Sequence, residues 1–148
     1  MPSFEEMFIK TKGQPIVYDG RTIVMSDTFP LEAATKLRVI FEGCNGQWRQ
    51  GVALKCDGDF TYNGETYSGR GGLVFWHDTA PLDSEVGLTV SEVRVYNVWD
   101  VGDGVIHARH NGAAMIVESL PNGRRYRCND GFADEDFADI VFRLERVI

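Results

Sequence analysis

The feature that most constrains the fold is a series of turn dipeptides, which separate short segments of alternating apolar and polar residues. The dipeptides are Asp19-Gly20, Asp57-Gly58, Asn63-Gly64, Asn111-Gly112 and Asn122-Gly123. Asp-Gly and Asn-Gly between alternating segments are strong hairpin signals, because both central residues of a type I′ turn take positive φ. The spacing predicts about ten or eleven short strands, which is typical of a β-sandwich or barrel.

The segments between the turns have the period of two that a half-buried strand requires. Residues 36–42 place Leu37, Val39 and Phe41 on one face, and residues 91–99 place Asn97 and Trp99 on the same face as the valines before them. No alternation of strands with helices is present, which excludes a Rossmann or TIM fold. We therefore predict an all-β, antiparallel β-sandwich, jelly-roll-like or Greek-key, as a single domain over residues 1–148.

Two further segments have local signals. Phe4, Met7 and Phe8 have helical spacing and predict a short N-terminal helix, with an extended arm across the core as the alternative. The turn His110-Asn111-Gly112 predicts a hairpin, in which residues 105–109 form the strand before the turn and residues 113–118 the strand after it.

Charge and cysteine content narrow the class of partner and the compartment. The chain has 15 Lys and Arg against 22 Asp and Glu, a net charge of −7, which argues against nucleic-acid binding. Cys44, Cys56 and Cys128 form no Cys-x-x-Cys pair, so they predict free thiols in a cytoplasmic protein, with a Cys44–Cys56 disulfide as the alternative in an exported one. Residues 1–10 lack a signal-peptide pattern, and no apolar run is long enough to span a membrane. The oligomeric state stays open.

The stretch from Asn97 to Gly112 concentrates polar side chains among glycines, which suits a ligand-binding loop. An aromatic ring can pack on the apolar face of a carbohydrate while neighbouring polar groups accept its hydrogen bonds. We predict a site for a small polar, carbohydrate-like ligand at this end of the sandwich. Its candidate residues are Asn97, Trp99, Asp100, Asp103, His107 and His110.

The histidines His77, His107 and His110 support a different hypothesis. Three imidazoles that converge, with a carboxylate as fourth ligand, would hold a transition metal as in a cupin-like enzyme. His107 and His110 are three residues apart, which places them on opposite faces of a regular strand unless a bulge intervenes. The alternative is that each histidine has a structural role of its own.

An acidic loop before the last strand is a candidate calcium site, because calcium takes several oxygen ligands from such clusters. The segment Asp134-Glu135-Asp136-Phe137-Ala138-Asp139-Ile140-Val141-Phe142-Arg143-Leu144 resembles the Asp-x-Asp-Phe-x-Asp-x-Val-Phe ending of some bacterial calcium-associated β-sandwich domains. The resemblance implies calcium binding by Asp134, Asp136 and Asp139. The alternative is a solvated loop, or one whose acids pair with Arg124, Arg125 and Arg127.

No signature of catalysis accompanies these candidates. The chain has no Gly-x-Ser-x-Gly nucleophile elbow, and Gly69-Arg70-Gly71-Gly72 is not followed by the helix that a phosphate-binding loop needs. We therefore predict a binding or interaction module that does not catalyse a reaction. The alternatives are the cupin-like metal enzyme and a protein-partner module of inhibitor or immunity type that uses the acidic surface.

Overall fold

The computed structural model describes residues 4–18, 20–108, 113–131 and 137–147. Within these ranges, one helix precedes a series of strands. The elements are α1 (Phe4–Lys10), β1 (Ile16–Tyr18), β2 (Arg21–Val24), β3 (Asp27–Pro30), β4 (Lys36–Gly43), β5 (Arg49–Lys55), β6 (Asp59–Tyr62), β7 (Glu65–Ser68), β8 (Leu73–Trp76), β9 (Asp83–Leu88), β10 (Glu92–Asp100), β11 (Ala114–Leu120), β12 (Gly123–Asn129) and β13 (Ile140–Val147).

The strands form two sheets whose paired strands are antiparallel. The larger sheet has the order β1-β2-β11-β12-β13-β4-β9-β6-β7, and the smaller has the order β3-β10-β5-β8. Several neighbours are distant in sequence, such as β2 beside β11 and β13 beside β4. The chain therefore crosses repeatedly between sheets, and the predicted antiparallel β-sandwich is confirmed.

The main core lies between the two sheets and is built from the alternating faces that the sequence predicts. Leu37, Val39 and Phe41 on β4 are buried, and so are Val52 and Leu54 on β5. Polar or charged side chains occupy many of the intervening positions on these strands. On β4 a period of two thus sets which residues enter the core, whereas β5 is buried on both faces from residue 50 to residue 54.

The N-terminal helix covers the outer face of the larger sheet. Phe4 and Phe8 of α1 pack with Ile23 of β2, Ala114 of β11 and Phe137, which together form a second, smaller apolar cluster. The helix prediction is confirmed. None of the helical structure in the described residues has the length and apolar character that a membrane crossing demands.

Within the described residues, two of the predicted turns form hairpins, whereas Asp57-Gly58 connects β5 of the smaller sheet to β6 of the larger sheet. Tyr62 pairs with Glu65, and the intervening Asn63 and Gly64 have φ values of 52° and 80°, as a type I′ turn needs. Leu120 likewise faces Gly123 across a two-residue turn.

The predicted strand at residues 105–109 is wrong over its described part. Val105 and Ile106 are exposed and belong to no strand, and His107 makes only an isolated bridge to Trp99. The reason is local, because Gly102 and Gly104 take positive φ, a backbone conformation that a regular strand does not use. The predicted turn His110-Asn111-Gly112 lies outside the described residues.

Candidate functional site at one end of the sandwich

The C-terminal half of β10 points Asn97 and Trp99 into the sandwich. The Asn97 side-chain amide donates to the Asn129 carbonyl oxygen at 2.8 Å, and Asn97 is only 3% exposed. Trp99 is 1% exposed and lies between the rings of Trp48 and His107, with ring centroids 6.5 and 6.3 Å away. A direct ligand contact from Asn97 or Trp99 would need the surrounding loops to open, and it stays a prediction.

The loop after β10 uses its carboxylates to shape itself. Asp100 accepts hydrogen bonds from the backbone N–H groups of Gly102 and Gly104, at 2.8 and 3.2 Å. Asp103 accepts from the N–H of Val105 at 3.0 Å and contacts the His107 ring nitrogen at 3.2 Å. The Val105 N–H and then the His107 side chain hold the pKa of Asp103 below its ordinary value. Both carboxylates therefore stabilise an Asx-type turn, and their contact with a ligand stays a prediction.

The structure separates the histidines proposed as metal ligands. His107 bridges Trp99, Trp99 pairs with Gln50, and the His77 N–H donates to the Gln50 carbonyl oxygen. His77 and His107 are thus three strand spacings apart, roughly 14 Å at 4.7–4.9 Å per strand. They cannot bind one metal ion, which is a correction to the cupin-like hypothesis. His110 lies outside the described residues, and among the described ones no three His, Cys, Asp or Glu side chains form a metal-binding group.

His77 has a structural contact of its own. Its ring meets the Phe41 ring edge-on, with the centroids 5.4 Å apart. This contact fixes His77 against the larger sheet, away from the loop that follows β10.

Four buried polar residues form a cluster, and they come from distant parts of the chain. Gln50, Asn129, Asp130 and Asp139 are each 2% exposed or less. The Gln50 amide nitrogen donates to an Asp130 carboxylate oxygen at 2.7 Å, and the Asp130 N–H donates to an Asp139 carboxylate oxygen at 2.9 Å. The cluster therefore links the start of β5 to both ends of the acidic loop.

The backbone around Asp139 holds this carboxylate in place. Its N–H donates to the Cys128 carbonyl oxygen, and its own carbonyl oxygen accepts from the N–H groups of Asn45 and Gly46. The segment between β4 and β5 thus closes over the cluster. Of the predicted calcium ligands, Asp139 is buried in this cluster, while Asp134 and Asp136 lie outside the described residues.

Two buried amide atoms in the cluster have no hydrogen-bond partner among the described residues. They are the Gln50 side-chain oxygen and the Asn129 side-chain nitrogen. Leaving such an atom unsatisfied costs about 1–3 kcal/mol. Exchanging the Gln50 oxygen and nitrogen would only bring oxygen against the Asp130 carboxylate and the Trp48 carbonyl, both of which accept from the nitrogen. The orientation is therefore fixed, and a buried acceptor oxygen has no donor among the described residues.

The electrostatic field of the cluster reaches Cys44. Burial is the main reason why the pKa of the Cys44 thiol is raised, and the negative charges of Asp139 and Asp130 raise it further. The site therefore favours cations and disfavours a thiolate nucleophile.

The arginines expected to neutralise the acidic loop have carboxylate partners within the described residues, and the loop acids Asp134 and Asp136 lie outside those residues. Arg124 contacts Asp27, while Arg125 and Arg127 contact acids on β4 and β11. Each of them thus has a carboxylate partner on a strand.

Sequence reasoning missed three members of the cluster, namely Gln50, Asn129 and Asp130. The signal for Gln50 was present, because it is the one amide on an otherwise apolar inward face that continues through Val52 and Leu54. A polar side chain at a core position predicts either a structural network or a site.

Comparisons with known proteins give a distant structural likeness and no match in sequence. No protein-family model matches the chain, and no curated protein matches it. Among solved structures, the chain is similar to a Chromobacterium violaceum lectin determined in complex with α-methyl-fucoside. The identity is 18% and the TM-score 0.47, and the match covers 82% of this chain and 96% of the lectin. At that level of similarity, the match says nothing about what this chain binds.

Proposed function

We propose that this chain is a non-catalytic binding module that takes a calcium ion in the cluster of Gln50, Asp130 and Asp139. The observation that supports the proposal is the buried Gln50 oxygen, which has no hydrogen-bond partner among the described residues and belongs to a side chain bonded to Asp130. Amide and carboxylate oxygens are the ligands that calcium prefers, and it needs six to eight of them. The acidic loop between Asp130 and Asp139 would supply the remainder, including the predicted ligands Asp134 and Asp136.

The proposed polar ligand, of carbohydrate type, would bind next to this ion. Trp48 is half-buried, and its ring stacks on Trp99 at an interplanar angle of 16°. Its carbonyl oxygen accepts from the Gln50 amide, which places the Trp48 backbone at the edge of the cluster. Trp48 thus replaces the fully buried Trp99 as the ring that a sugar would contact.

The test is thermal unfolding in EDTA and in calcium. Binding to the native state alone adds about 2.7 kcal/mol at a calcium concentration one hundred times the dissociation constant. One kcal/mol moves Tm by about 2–4 °C in a protein of this length, so the expected rise is roughly 5–11 °C. Magnesium should give a smaller rise, because it demands shorter and more regular coordination.

The matched variants are Asp139→Asn and Asp59→Asn. Asn at position 139 can still accept from the Asp130 N–H but removes a charge, so the calcium-dependent rise should be lost. Asp59 is exposed on β6, away from the cluster, and its variant should keep the full rise. An equal rise in wild type and Asp139→Asn, or no rise in wild type, would contradict the proposal.

The protein-partner function stays an alternative with its own observation. The loop after β10 exposes Val101, Val105 and Ile106, which are 42%, 53% and 54% exposed. Such an apolar tip is typical of a contact surface. If neither calcium nor a sugar binds, this loop would be the surface to mutate first.

A further inference from the structure

A cavity of about 430 Å³ lies on the outer face of the smaller sheet, the face turned away from the core. It lies beside the junction of β3, β10 and β5, at the end remote from the buried polar cluster. Its lining includes the cationic side chains of Lys55, Arg70 and Arg94, together with Thr28 and Ser91. The cavity is therefore polar and has a locally basic wall in an acidic protein.

Strand register places two of these cations side by side. Arg94 on β10 pairs directly with Lys55 on β5 and with Thr28 on β3, so the three side chains form a row on one face. Directly opposed residues have Cβ atoms about 4.5–5.5 Å apart, and like charges in that position destabilise a sheet. An anion that bound both cations would remove this repulsion.

The cations of the cavity also lack the partners that other basic residues have. Of the arginines in the described ranges, only Arg70 and Arg94 make neither an ion pair nor a contact over an aromatic ring. Acids outnumber bases by 22 to 15, so partners are not scarce. Both unpaired arginines lie in the same cavity, together with Lys55, which is also unpaired among the described residues.

The loop that carries Arg70 is fixed by close backbone packing. The Gly69 N–H donates to the Gly58 carbonyl oxygen at 2.8 Å, and the Gly69 carbonyl oxygen accepts from the Cys56 N–H at 3.0 Å. A Cβ at Gly69 would collide with Cys56, and Gly72 has a φ of 80°. The glycines thus let the loop lie on the strand and hold Arg70 at the cavity before any ligand arrives.

We propose that this cavity is a binding site for a small anionic ligand with hydroxyl groups, whose anionic group is a phosphate, sulfate or carboxylate. Arg70 and Arg94 would donate charge-assisted hydrogen bonds to the anionic group, and Lys55 would add a third cation. Asp57 and Glu92 also line the cavity and would accept from the ligand hydroxyls while excluding a larger or more highly charged anion. This site is independent of the calcium proposal.

The test is isothermal titration calorimetry at fixed ionic strength with four probes: inorganic phosphate, glucose 6-phosphate, glucuronate and glucose. At least one of the two sugar anions should bind with a dissociation constant tighter than about 1 mM, while glucose should not bind. Inorganic phosphate should bind more weakly than glucose 6-phosphate, since it lacks the hydroxyl contacts.

The variants are Arg94→Gln in the cavity and Arg127→Gln as its control. Both remove one arginine charge from an exposed strand position, so they change the net charge equally. Arg94→Gln should weaken binding at least about tenfold, the loss of roughly one charge-assisted hydrogen bond, and Arg127→Gln should not. Lys55→Gln is the second variant if Arg94→Gln fails to fold. Absence of heat from both sugar anions, or equal binding by the cavity variant and the control, would overturn the proposal.

Discussion

One polar bridge between the two sheets permits a quantitative prediction, the loss of stability in Tyr126→Phe. Tyr126 on β12 is fully buried, and its hydroxyl donates to an Asp27 carboxylate oxygen on β3 at 2.7 Å. Arg124 donates to the same oxygen at 2.7 Å. Burial raises the pKa of Tyr126, and the negative charge of Asp27 raises it further, so the phenol stays protonated and acts as the donor.

The magnitude follows from what each substitution leaves behind. A hydrogen bond to a charged group contributes about 1.5–3 kcal/mol, and Tyr126→Phe removes one while Asp27 keeps Arg124. Because the Asp27 side chain is 19% exposed, water can partly replace the phenol, and we expect about 1.5 kcal/mol. Asp27→Ala should cost more, about 3–4 kcal/mol, because it leaves the buried Tyr126 hydroxyl and the half-buried Arg124 guanidinium without their acceptor. In the double variant the Tyr126 hydroxyl is absent and no longer lacks a partner. The double variant should therefore cost about 3 kcal/mol, which is below the sum of the single costs.

The assay is equilibrium unfolding in urea at neutral pH, followed by tryptophan fluorescence, with the m-value checked for constancy. The control is Tyr67→Phe, whose hydroxyl also donates to a carboxylate, that of Glu65 at 2.8 Å, but on the exposed edge strand β7. Its cost should stay below about 0.5 kcal/mol. Additive costs for Tyr126 and Asp27, or equal costs for the two tyrosines, would refute the reasoning.

Two further predictions concern the larger sheet. The Arg125 guanidinium, which donates to Glu42, holds the pKa of Glu42 below its ordinary value of 4.5. The ionised Glu42 side chain therefore stabilises the folded protein above pH 4.5, and this stabilisation is lost as the pH falls through the pKa of Glu42 in the folded state. Glu42→Gln should therefore cost about 1 kcal/mol at pH 7 and progressively less as the pH falls below 4.5. A cost that is constant with pH would contradict this. A Cβ at Gly123 would collide with the Leu144 carbonyl oxygen, so Gly123→Ala should cost about 3 kcal/mol or more in urea unfolding. Gly43→Ala, whose Cβ meets none of the described atoms within 4 Å, is its control, and equal effects would show that the collision is relieved elsewhere.

The local parts of the fold could be read from the sequence because their causes are local. Asn63-Gly64 fixes a turn through φ alone, and the alternation of Leu37, Val39 and Phe41 sets one buried face. The prediction at residues 105–109 was wrong because the signal of the later turn was given more weight than Gly102 and Gly104, whose positive φ does not fit a strand.

The candidate site depended on pairings that no local pattern encodes. Gln50 and Asp130 are 80 residues apart and meet only because the sandwich brings the start of β5 to the end of β12. His77 and His107 could have been separated only by knowing that β5 and β10 lie between them. Calcium binding by Asp139 was implied by the resemblance of the acidic segment. Its burial could not be predicted, because Asp139 contacts Asn45, Cys128 and Asp130 only in the folded chain.

The two proposed sites use the same strand pair in physically independent ways. Gln50 and Trp99 face each other near one end of the β5–β10 pair, and Lys55 and Arg94 face each other near the other end. Five residues separate the two rows, roughly 17 Å at 3.4 Å per residue, which is about twice the Debye length at physiological ionic strength. The first row points into the sandwich and the second points outward, so the sites share neither a side chain nor a cavity. A calcium ion at one site therefore has little electrostatic influence on an anion at the other, and the failure of either proposal leaves the other standing.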